Sequence, residues 1–128
     1  MRLIERQLTR AIRDCLADSQ FSGQYWRGGN TTVCQLHDPG PNGARYIRVC
    51  LYSTQIALIE PGANRLSLYT GGFRTNTTKS RLNAILSDLT DGFGLYQQRF
   101  AWYLTRRSWT TGEPFEDGRT LGLWLAGR

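Results

Sequence analysis

The sequence predicts an α+β domain: an antiparallel sheet of about five or six strands with two helices packed on it. Three observations point there. Apolar residues recur at helical spacing in two stretches, 2–18 and 77–90. Elsewhere, short segments alternate apolar and polar residues with the period of a strand. The connections between those segments are too short for parallel crossovers, so neighbouring strands must pair antiparallel. At 128 residues the chain fits one domain, 1–128.

Residues 2–18 read as an amphipathic helix whose apolar stripe is Ile4, Leu8, Ala11, Ile12, Cys15 and Leu16. Gly23, Gly28 and Gly29 then mark a loop around Tyr25-Trp26. Thr31 to His37 alternates weakly, and the run Asp38-Pro39-Gly40-Pro41-Asn42-Gly43 is a strong turn. Arg45 to Tyr52 follows, with Ile47, Val49 and Leu51 on one face. Gln55 to Ile59 is a further apolar strand, closed by Pro61-Gly62, and Arg65 to Tyr69 alternates again. In 77–90, Leu82, Ile85, Leu86 and Leu89 supply a buried helical face; Thr77 or Thr78 can cap its start and Gly92 can end it. Leu95 to Leu104 reads as one long aromatic strand, and Leu121 to Leu125 as the last.

Sixteen basic against ten acidic residues give a net charge of +6, and Lys79 is the only lysine. Arginine offers a rigid fork of donors suited to phosphate or carboxylate. A positive balance therefore allows an anionic partner, although an arginine bias also arises from a GC-rich genome. The N-terminal stretch is charged throughout and has no signal-peptide core, and no segment reaches the roughly 18 apolar residues of a membrane span. Three unpaired cysteines in such a chain predict a reducing, intracellular setting.

Four constellations bear on function. In the first helix Arg2, Arg6, Arg10 and Arg13 fall within about 80° of one another, opposite the apolar stripe. The row reads as an anion-binding face or as an ordinary solvated one. The segment Gly71 to Arg81 lacks the glycines of a nucleotide-binding loop. Its hydroxyls, with Lys79 and Arg81 at a helix start, read as a phosphate contact or as a plain threonine cap. Aromatic and basic residues interleave from Tyr96 to Trp109. Period two puts Arg99 and Tyr103 on one face and Tyr96, Phe100, Trp102 and Leu104 on the core face. With Arg106 and Arg107, the outer face resembles a surface on which unpaired bases stack; it also reads as the polar side of a half-buried strand. Cys34 and His37 have zinc half-site spacing, but no second close pair accompanies them, so neither metal nor cofactor is expected. No nucleophile stands beside His37 in any catalytic motif, and Glu113, Glu116 and Asp117 lie among glycine and proline as in a solvated turn. A binding protein is expected rather than an enzyme.

Several stretches resemble a family of small proteins from tailed bacteriophages and prophages. They are Asn30-Thr31-Thr32-Val33, Leu51 to Ile59, Gly71-Gly72-Phe73, Thr77-Thr78-Lys79-Ser80-Arg81-Leu82-Asn83, Tyr96-Gln97, Phe100 to Tyr103 and Pro114 to Gly118. The chain departs from the family at Ser53-Thr54, where members carry His-Gly. The resemblance implies a phage origin and a setting in host takeover, anti-defence or DNA metabolism, in the host cytoplasm. Together these features predict a phage accessory protein that binds nucleic acid, DNA or RNA, through Arg2, Arg6, Arg10, Arg13, Lys79, Arg81, Arg99, Tyr103, Arg106 and Arg107. The alternative is a module that docks on an acidic surface of a host protein and inhibits or redirects it. No membrane contact is expected, and the sequence leaves the oligomeric state open.

Overall fold

A computed structural model describes residues 2–125. Its elements run α1 (Leu3–Ala17), β1 (Gly23–Gly28), β2 (Thr31–His37), β3 (Arg45–Leu51), β4 (Thr54–Glu60), β5 (Arg65–Leu68), α2 (Asn76–Leu89), β6 (Phe93–Gln98), β7 (Ala101–Arg106), β8 (Glu113–Pro114) and β9 (Arg119–Gly122). Six strands form one antiparallel sheet in the order β1-β2-β3-β4-β5-β9, and β6-β7-β8 form a second, smaller one. The α+β class and the six-stranded sheet agree with expectation; the second sheet is additional.

One face of the large sheet is closed. Val33, Ile47, Val49, Ile59, Leu66 and Leu68 on that face are fully buried, as are Leu8 and Ile12 of α1, Leu82, Ile85, Leu86 and Leu89 of α2, and Leu104 of β7. They form one cluster with Trp102, so α1, α2 and the small sheet together make the covering layer. Burying each such side chain contributes about 1.5–3 kcal/mol. The opposite face, with Cys34, Tyr46, Arg48, Cys50 and Leu58, is half-buried.

The two helices run side by side in the same direction. Near their starts Arg81 reaches Glu5, with Nη1 to Oε1 at 3.8 Å. Near their ends Arg13 grips Asp88 through two hydrogen bonds of 2.6 and 2.8 Å. Both N-termini therefore lie at one pole, together with the β1–β2 and β3–β4 turns. Tyr52 N–H donates to the Asn30 carbonyl there, and Ile4 packs on Gly28.

Several boundaries differ from the sequence-based expectation, each for a local reason. The glycine-marked stretch 23–28 is a strand, not a loop; its pairing shifts between Gln24 and Trp26, a bulge that hides the alternation. The stretch 95–104 is not one strand but the β6–β7 hairpin. Arg99 and Phe100 form its two-residue turn at φ +50° and +69°, where glycine and asparagine are the usual occupants. The turn breaks the period, so Phe100 leaves the expected core face and is 91% exposed. Tyr96 also leaves it, pairing across the hairpin with Tyr103 in a stacked geometry at 5.3 Å. The helix cap is Thr75, not Thr77 or Thr78, its Oγ1 accepting from Thr78 N–H at 3.1 Å. The last strand is Arg119–Gly122 rather than 121–125.

Asp117, expected in a solvated turn, is a clamp. Its carboxylate accepts from the Thr70 N–H, the Thr70 hydroxyl and the Gly71 N–H at 2.8–2.9 Å. That fixes the loop Gly71–Gly72, whose φ angles of +63° and +85° suit glycine.

Candidate nucleic-acid interface

The ten expected contact residues divide into three groups. Arg2, Arg6, Lys79 and Arg81 come together where α1 and α2 begin. Arg99 joins them by a separate route. A short connection returns the chain from α2 into β6, and Asn83 bonds both the N–H and the carbonyl of Leu95, fixing β6 against α2. From Asn83 back to the start of α2 is about 10 Å of helix, and from Leu95 to the hairpin tip about 13–16 Å of strand. The tip therefore reaches the helix starts. A direct contact agrees: Arg74, beside the α2 start, lies over the Trp102 ring at 5.8 Å.

Arg106 and Arg107 lie at the other pole. Arg106 bonds the Asp91 carbonyl and carboxylate and stacks on Phe93. Arg13 is engaged by Asp88, which raises its pKa through the side-chain hydrogen bonds. Arg10 is exposed on the outer face of α1, 4.0 Å from Asp14. Tyr103 sits midway along the hairpin in its stack with Tyr96.

Arg81 is not a surface group. It is buried, donates Nε–H to Thr31 Oγ1 at 3.2 Å and faces Glu5, itself buried. Burial lowers the Arg81 pKa, nearby Arg2 adds to this, and Glu5 opposes it. For Glu5, burial alone would raise the carboxyl. The Arg2 N–H and guanidinium, together with Arg81, outweigh it and hold the carboxyl below its ordinary value. This pair joins the two helices inside the molecule, so the cations left at the pole surface are Arg2, Arg6, Lys79 and Arg99, with Arg27 and Arg74 beside them.

The distribution of charge follows from this topology. Asp14, Asp18, Asp38, Glu60, Asp88 and Asp91 all lie at the far pole, where the helices end and the β2–β3 and β4–β5 turns sit. At the near pole Glu5 is internal, Asp117 holds backbone, Glu113 pairs with Arg119 at 2.6 Å, and Glu116 beside Asp117 is exposed. Net positive charge is concentrated where both helices start.

Four of the six large exposed apolar groups among the described residues lie at the same pole, Leu3 (63% exposed), Tyr52 (73%), Phe73 (62%) and Phe100 (91%), while Trp124 and Leu125 lie beside the end of α2. Three of the four at the pole are aromatic, and sequence reasoning singled out none as a contact. Tyr52 stands at φ +56°, a left-handed conformation that costs a non-glycine residue on the order of 1 kcal/mol. Between Tyr52 and Phe73 lies a cleft of about 350 Å³, lined also by Leu51, Thr54, Ile56, Thr70, Thr75 and Thr78.

His37 bonds Ser22 Oγ with one ring nitrogen at 2.8 Å and the Ser19 carbonyl with the other at 2.9 Å. Burial pushes the Cys15 thiol up to about 11. Among the described residues no three His, Cys, Asp or Glu side chains are grouped to hold a metal ion, and no helix is long and apolar enough to cross a membrane.

Residues 1–122 match the model of a protein family described as Kyanoviridae Gp96 protein. No curated protein and no solved structure matches the chain.

Proposed function

Because the chain belongs to the Kyanoviridae Gp96 protein family, a family of phage proteins, we propose that it is a phage accessory protein that binds nucleic acid at its positive pole. The observation that carries this reading is the uneven placement of carboxylates, which offset Arg13, Arg45, Arg65, Arg106 and Arg107 at the far pole and leave surface cations in excess at the pole where Tyr52, Phe73 and Phe100 are exposed. Cations that track phosphates and rings that stack on bases are the two components of single-strand binding. Lys79 and Arg99 are the central cations, with Arg6 and Arg27 at the flanks. The protein acts by binding rather than catalysis, in the host cytoplasm. The raised pKa of the Cys15 thiol favours that view, since the thiol is not prepared as a nucleophile.

A salt titration checks this. With four phosphates contacted, log affinity for a single strand falls with log salt at a slope of about −3. Failure to bind single- or double-stranded DNA or RNA in low salt refutes the reading. A second reading, docking on an acidic host protein, draws support from aliphatic Leu3 among the exposed groups; a partner captured from nuclease-treated host lysate through the same pole would favour it.

A further inference from the structure

We infer that the cleft between Tyr52 and Phe73 is a site for one unpaired nucleobase, which makes the protein prefer single strands to duplex. The inference rests on the nucleic-acid reading and deepens it. None of the eight lining residues carries a charge, although the cleft lies within the positive pole. A phosphate therefore has no partner inside, while a neutral, flat, partly apolar ring does. The cleft floor is apolar, with Leu51 and Ile56 buried beneath the two exposed rings. Of the wall threonines, Thr70 bonds Asp117 and Thr75 and Thr78 bond each other, so the wall turns a mainly apolar surface to its occupant, as a stacked ring requires. The cleft volume is in the lower range of small-molecule sites, which start at about 300 Å³.

Charge complementarity selects the occupant. Lys79 follows Thr78 and Arg74 follows Phe73 in sequence, so two cations of the positive pole stand one residue from the lining of a cleft that is itself uncharged, the Arg74 guanidinium being held by the Phe115 carbonyl over Trp102. A strand laid there puts its backbone on the cations and one base inside. The walls are also built to keep their spacing. Gly71 packs so closely on Thr54 that a Cβ would lie 2.4 Å from the threonine Cγ2, and Asp117 anchors the same loop. Duplex DNA presents its bases only after unpairing and unstacking, so the site discriminates against it.

The test compares oligothymidylate with an abasic oligomer of equal length and with duplex, using the full chain. Tyr52→Gly removes a ring while suiting the left-handed backbone, and Phe73→Ala removes the other. Each is expected to weaken oligothymidylate binding about tenfold and to leave abasic binding unchanged. Phe73→Trp keeps a stacking surface and is expected to retain wild-type affinity. Lys79→Ala weakens binding of both single-stranded polymers. If the wild type binds both polymers equally and the ring variants change neither, the base site is refuted while phosphate binding at the pole stands. If the wild type binds neither, both ideas fall.

Discussion

Replacing Arg6, Lys79 and Arg99 together with alanine is expected to lower single-strand affinity about a hundredfold at 0.1 M salt and to take about two units off the salt slope. Each phosphate contact on a single strand contributes about 0.7 to that slope, and three contacts at a tenfold dilution from 1 M salt contribute about two decades. None of the three cations has an ion pair in the described structure, so the change should cost little stability, within about 0.5 kcal/mol per site. The matched control is Arg10, Arg106 and Arg107, which carry the same charge but sit on the outer face of α1 or at the far pole. Their replacement is expected to change affinity severalfold at most. Equal losses from the two triple variants would mean that overall charge, not its placement, governs binding.

The second large effect concerns folding and separates two neighbours in the same stretch. Lys79 is a surface cation, whereas Arg81 is buried against Glu5. Glu5→Ala removes the carboxylate 3.8 Å from the buried Arg81 guanidinium, whose Nη1 has no hydrogen bond of its own, and is expected to cost about 1–3 kcal/mol. Urea denaturation should show that loss, and Glu5→Leu combined with Arg81→Leu should recover most of it, because an apolar pair of similar volume carries no stranded charge. The pair also predicts a pH dependence. The Glu5 carboxyl is held below its ordinary value of 4.5 in the folded state. Its contribution is therefore complete above that value and is lost as pH falls through the lower folded value. The wild type should lose stability on acidification below about 4.5 more steeply than Glu5→Gln, for which no carboxyl remains to titrate. Parallel profiles would show that Glu5 is not a coupling group.

Local periodicity made much of the fold legible. The stripe from Leu8 to Cys15 and the face from Leu82 to Leu89 are buried as their spacing implies, β2 and β3 alternate as read, and β4 and β5 stand where strands were expected. What escaped lacked a local signal. Arg99-Phe100 is a turn written without glycine or asparagine, so two strands looked like one. In β1 a bulge masked the alternation. Nothing local marks Glu5 as buried, because Arg81 lies 76 positions away, and Arg13 meets Asp88 at a separation of 75. The phage setting implied by the resemblance agrees with the family match. The charged pole itself depends on two helices running parallel, and no window of sequence contains that information. Tyr52 and Phe73 were invisible for the same reason: they belong to separate loops that only the folded chain brings to one cleft.

The most direct measurement is the amide chemical-shift map of the protein titrated with a short oligothymidylate in low salt. Shifts are expected to cluster at the start of α1, around Tyr52, from Phe73 to Lys79 and at Arg99-Phe100, with Asp38, Glu60 and Asp91 silent. Shifts concentrated on the far pole, or on the half-buried open face of the large sheet around Arg48, would contradict the positive pole as the place where the strand binds.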